Sequence, residues 1–123
     1  MRASTAQSRT TPIKPTISGA ITSAAAGTIT STGNTSGAGG DVFIHHGNAA
    51  AGAITLNGNV TAQGGNGGNG GNVTVLNDSG AIVLNSTIDV SKAGAGVNDG
   101  TIQFKASGDI TDTSSANLVG DAN

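Results

Sequence analysis

Two stretches decide the fold: Gly52-Ala-Ile-Thr-Leu-Asn-Gly-Asn-Val60 and Gly80-Ala-Ile-Val-Leu-Asn-Ser-Thr-Ile88. They align without a gap at a spacing of 28 residues, from Ile54 to Ile82. Leu56 then falls on Leu84, Asn57 on Asn85 and Val60 on Ile88. Alternation of apolar and polar residues marks a short half-buried strand, since residues i and i+2 share a face. Helix is opposed throughout, because Gly, Asn and β-branched residues interrupt every window of helical length.

The same cadence, a glycine followed by an alternating segment, returns at Gly40-Asp-Val-Phe-Ile44, Gly71-Asn-Val-Thr-Val75 and Gly100-Thr-Ile-Gln-Phe104. The inward pairs are therefore Val42/Ile44, Ile54/Leu56, Val73/Val75, Ile82/Leu84, Ile88/Val90 and Ile102/Phe104. Thr55, Thr74, Asp89 and Gln103 face outward, and Phe43 and Val83 are apolar exceptions on that outer side.

One anchor per strand sorts these segments into three columns. Ile13, Val42, Val73 and Ile102 are spaced by 29, 31 and 29 residues; Ile21, Ile54, Ile82 and Ile110 by 33, 28 and 28; Ile29, Val60, Ile88 and Leu118 by 31, 28 and 30. All three share a period near 30, the signature of a solenoid. The step from the third strand to the next first strand is 13, 13 and 14, so one long corner keeps its place in every turn. The pattern predicts an all-β parallel β-helix with three short strands per coil and 28 to 33 residues per coil. Residues 17–119 form the coils, 1–16 an extended arm or cap, and 120–123 a tail. The core columns comprise Val42, Ile44, Ile54, Leu56, Val60, Val73, Val75, Ile82, Leu84, Ile88, Val90, Ile102, Phe104 and Ile110. Asn57 under Asn85 predicts an Asn ladder, in which stacked amides bond along the coil axis and tolerate a tight corner.

The alphabet is narrow. Gly, Ala, Ser, Thr and Asn supply 79 of 123 residues, and there is no Cys, Trp or Tyr. A disulfide scaffold, a thiolate metal site and an aromatic nucleic-acid platform are excluded. Five basic residues against seven acidic ones give a net charge of -2, which provides no footprint for nucleic acid or an anionic membrane. No apolar run approaches the roughly 20 residues of a membrane-spanning helix. Met1 to Pro15 carries Arg2, Arg9 and Lys14 without an apolar run behind them, so it lacks the middle region of a secretory signal.

Motifs that carry chemistry fail one by one. The glycines of Gly64-Gly-Asn-Gly-Gly-Asn-Gly-Gly-Asn72 lack the Lys-Ser/Thr and the helix of a phosphate loop, and they lack the carboxylates of a calcium-binding nonapeptide. That corner is expected to be a flexible, protruding loop. His45 and His46 are adjacent on a strand and point to opposite faces, which prevents joint chelation. The seven Asp residues are spread along the chain, and no aromatic residue is expected beside them to hold a sugar ring, so paired-carboxylate glycoside hydrolysis is disfavoured. No catalytic, cofactor-binding or metal-binding residue is assigned, and the chain is read as non-enzymatic.

The run Gly70-Gly-Asn-Val-Thr-Val-Leu-Asn-Asp-Ser-Gly-Ala-Ile-Val-Leu-Asn-Ser-Thr-Ile-Asp-Val-Ser91, followed by Gly100-Thr-Ile-Gln-Phe-Lys-Ala-Ser-Gly-Asp-Ile110, resembles the coils of filamentous-haemagglutinin-type exoproteins and related giant surface adhesins. The resemblance covers about residues 17 to 119. It implies a right-handed parallel β-helix, export across a bacterial outer envelope, and use in adhesion or biofilm building.

The expected role is structural: extracellular or cell-surface coils that stack end to end with copies of themselves, or continue within a giant adhesin, to build a fibre or surface layer. Open strand edges at both ends of a short solenoid recruit neighbours. The alternative is a binding module that recognises a polysaccharide, such as a cell-surface glycan, or ice through an outward face. The ice reading wants regular Thr-x-Thr ranks, and only Thr28-Ile-Thr30 qualifies.

Overall fold

The computed structural model describes residues 20–47, 51–94, 98–113 and 118–120. The expected arm over residues 1–16, with its anchor Ile13, lies outside them. The described chain contains eleven short strands and no helix: β1 (Ile21–Thr22), β2 (Ile29–Thr30), β3 (Val42–His46), β4 (Ile54–Leu56), β5 (Val60–Thr61), β6 (Val73–Asn77), β7 (Ile82–Leu84), β8 (Ile88–Asp89), β9 (Ile102–Ala106), β10 (Ile110–Asp112) and β11 (Leu118–Val119). They form three parallel sheets, ordered β1-β4-β7-β10, β2-β5-β8-β11 and β3-β6-β9. The fold is an all-β parallel solenoid with three strands per coil.

The register is the one the columns predict. Ile21 pairs with Ile54, Ile54 with Ile82 and Ile82 with Ile110. Ile29, Val60, Ile88 and Leu118 succeed one another in the second sheet, and Val42, Val73 and Ile102 in the third. Like side chains thus stack at the strand spacing of about 4.8 Å, each over its counterpart in the coil below.

Burial is deepest in the middle of the stack. Ile54, Leu56, Val60, Val73, Val75, Ile82, Leu84, Ile88 and Val90 are buried with Val42 and Ala62, and Ile44, Ile102 and Phe104 pack partly buried against them. Ile110 departs from the expected core. It stays in its column above Ile82 but is 49% exposed, as is Leu118, because no described coil covers β10 and β11. Column membership fixes direction; burial also needs a coil on each side.

The long corner differs from the expected flexible loop. In each turn the chain leaves the shaft and returns through a neck closed by a backbone hydrogen bond. Gly40 N–H donates to the Ser31 carbonyl at 2.8 Å, Gly71 to Ala62 at 2.7 Å and Gly100 to Val90 at 2.7 Å. The excursions then bond to one another: Gly33 N–H to Gln63 O at 2.8 Å, Gly65 to Gly37 at 2.9 Å, Gly39 to Asn69 at 2.9 Å and Gly67 to Ala93 at 2.7 Å. The result is a stacked fin. Its glycines are required by close approach, since a Cβ on Gly70 would lie 1.8 Å from the Val90 carbonyl oxygen. Gly67, at the tip, has φ 83° and open space beside it, so there the backbone angle makes the demand.

Candidate functional site

Three features stand outside the packed shaft: an amide ladder at one corner, the exposed outer face of the longest sheet, and the uncovered terminal coil. The ladder is the device that the sequence predicts. Asn85 Nδ2 donates to Asn57 Oδ1 at 2.7 Å. It also runs further than expected: Asn57 Nδ2 donates to the Ser23 carbonyl at 2.9 Å, and the Thr113 hydroxyl donates to Asn85 Oδ1. Ser23 Oγ accepts the backbone N–H groups of Asn57 and Gly58 at 2.9 and 3.1 Å, which closes the corner from below.

Two further polar stacks escaped the sequence reading. At the entry to the longest sheet, Asp41 Oδ1 accepts the backbone N–H and the side-chain Nδ2 of Asn72 at 2.9 and 3.1 Å. Asn72 Oδ1 accepts the Thr101 N–H at 2.9 Å. The signal was present, because Asp41, Asn72 and Thr101 each precede a first-column anchor. Inside the shaft, Asn77 is almost fully buried, donating to the Gly52 and Ala81 carbonyls at 2.8 Å each while its Oδ1 accepts the Ser79 N–H at 3.2 Å. It therefore caps the inward row of β6 as a satisfied polar group.

The strands β3, β6 and β9 are the longest of the fold, five residues each, and present the widest outer face. Phe43, Thr74 and Gln103 form one outward column, and His45, Leu76 and Lys105 the next. His45 is exposed and His46 is buried, as alternation requires. His45 Nε2 lies 2.8 Å from Asp78 Oδ2, a surface pair that links two successive coils. Phe43 is 64% exposed and its ring meets His45 with centroids 5.8 Å apart and planes tilted by 57°. Asp41, Val42, Phe43, Asn72, Thr74, Thr101 and Gln103 line a shallow open groove of about 460 Å³. An aromatic ring thus does stand in the same groove as an Asp, contrary to the expectation from the sequence.

Elsewhere the outer faces are irregular. The columns Thr22-Thr55-Val83-Thr111 and Thr30-Thr61-Asp89-Val119 contain no unbroken rank of threonines. Among the described residues no group of three or more His, Cys, Asp or Glu side chains is arranged to hold a metal ion. No described helix is long and apolar enough to cross a membrane.

No family model matches the chain, and neither the curated proteins nor the solved structures contain a match to it.

Proposed function

We propose that this chain is a non-enzymatic structural protein of the cell exterior. Its β-solenoid coils continue by end-to-end stacking with copies of the same chain, as the building block of a fibre, surface layer or adhesin. The observation that carries this reading is the upper coil. Ile110, Leu118 and Val119 are exposed on β10 and β11, directly above the fully buried Ile82 and Ile88 and the half-buried Asp89.

The lower end offers a matching surface. β1 and β2 present Ile21-Thr22 and Ile29-Thr30, the same Ile-Thr dipeptide that β4 presents as Ile54-Thr55. Seating β1 of a second copy on β10 extends the isoleucine column, and β2 on β11 sets Ile29 over Leu118. Backbone N–H and C=O groups along the two strand edges would add ladder hydrogen bonds to that joint. Extracellular placement rests on the resemblance to exported adhesin coils.

Sedimentation and electron microscopy of the purified chain across micromolar concentrations test the proposal. Growth into fibres whose axial repeat is near 4.8 Å, abolished by Ile110→Lys with Leu118→Asp, is the expected result. A folded monomer at every concentration contradicts it.

A further inference from the structure

We propose that the groove on the outer face of β3, β6 and β9 binds a neutral polysaccharide, with Phe43 as the ring against which a sugar face stacks. Phe43 is the most exposed large apolar side chain among the described residues, and its one described ring contact is the tilted His45. Above it in the same column stand the Thr74 hydroxyl and the Gln103 amide, side chains without a hydrogen-bond partner among the described residues. A phenyl face followed by an alcohol and an amide matches a pyranose, which offers an apolar C–H face and a hydroxylated edge.

The neighbouring column gives the groove rigidity. Asn72 is held by Asp41 on one side and by the Thr101 N–H on the other, so the polar wall is fixed before a ligand arrives. The groove is shallow and open, about 460 Å³, which suits a short stretch of an extended chain lying across the coils rather than an enclosed small ligand.

Charge selects the class of glycan. Asp41 is the one ionisable group among the residues that line the groove, with His45 and Lys105 in the outward column beside it, so a uronate or sulfated chain seated in the groove itself is opposed by a carboxylate. A second copy packed sideways is a poorer occupant. The apolar part of the groove is one ring wide, whereas a protein interface needs a contiguous apolar centre and an area of roughly 1,000 Å² or more.

The test is retention of the intact chain on immobilised cellulose, β-1,3-glucan, mannan and galactan, with alginate and polygalacturonate as acidic counterparts. Binding to at least one neutral polysaccharide is expected, weakened about tenfold by Phe43→Ala, which removes the stacking platform. Gln103→Ala weakens it as well. Both substitutions leave the circular dichroism spectrum unchanged, because both side chains are exposed. Ile110→Lys with Leu118→Asp leaves retention intact, which separates this groove from end-to-end stacking. Failure to bind any neutral polysaccharide overturns the proposal, as does preference for the acidic chains or retention indifferent to Phe43→Ala. Loss of sideways association in Phe43→Ala without any glycan binding also overturns it and assigns the face to a second copy.

Discussion

Asn85 sits one coil above Asn57 and donates its amide N–H to the Asn57 side-chain oxygen at 2.7 Å. That bond joins two turns at the corner between the second and third strands of each coil, and Ser23 and Thr113 extend it through four coils. Side-chain hydrogen bonds along the axis therefore supplement the backbone ladders where the strands stop.

Asn85→Ala removes its bond to Asn57 and the one it accepts from Thr113, and leaves the Asn57 oxygen and the Thr113 hydroxyl to water, since this part of the corner is exposed. The expected loss is about 1 kcal/mol. Asn57→Ala costs more, because Asn57 is half-buried and its bond to the Ser23 carbonyl is shielded from water, whereas both bonds of Asn85 are exposed. Urea denaturation of the two variants measures the order.

Asn77→Ala is expected to be worse than either. The Ala81 carbonyl keeps the Ile54 N–H, but the Gly52 carbonyl loses its Asn77 donor beside a buried side chain, and an unpaired buried acceptor costs about 1 to 3 kcal/mol. Thermal unfolding should show a larger fall in midpoint for Asn77→Ala than for Asn85→Ala.

Position along the stack sets the cost of losing an isoleucine. Ile82 is fully buried between Ile54 and Ile110, so Ile82→Ala is expected to cost about 2 to 5 kcal/mol through lost transfer energy and a cavity. Ile110→Ala, in the same column but half exposed, is expected to cost about 1 kcal/mol or less. Equal losses at the two positions, measured by equilibrium unfolding at a concentration where the chain is monomeric, would mean that the terminal coil is covered.

Glycines in the fin divide into two kinds. Gly70→Ala forces a methyl group toward the Val90 carbonyl oxygen and is expected to separate two coils, with a cost of more than about 1 kcal/mol. Gly67→Asn is expected to be mild, because only the positive φ constrains the site and Asn adopts it readily. Amide hydrogen exchange reads the difference: protection at the Gly71 and Gly100 N–H groups falls in Gly70→Ala and persists in Gly67→Asn.

The columns were legible because strand periodicity and coil period act on the same residues. Ile21, Ile54, Ile82 and Ile110 recur at intervals that only a winding chain explains, and the gapless repeat from Ile54 to Ile88 placed Asn57 under Asn85. The fin was not legible in the same way. Glycine has no side chain to show a periodicity, so Gly64 to Gly71 reads like a loose loop until the backbone bonds between Gly65 and Gly37, or Gly67 and Ala93, are seen. The outer groove was half visible. Phe43 was expected to point outward, but its place beside Asn72, Thr74 and Gln103 depends on the coil-to-coil register. Exposure of Ile110 depends on what lies above the last coil, which no local pattern encodes.

The stacking of isoleucines is tested most directly by methyl-to-methyl nuclear Overhauser effects in a chain labelled at isoleucine. The structure requires contacts from Ile21 to Ile54, from Ile54 to Ile82 and from Ile82 to Ile110, with none from Ile21 to Ile82. A spectrum that lacks the Ile54–Ile82 contact, or that joins Ile21 directly to Ile82, contradicts the coil stack and with it the proposal that further copies extend it.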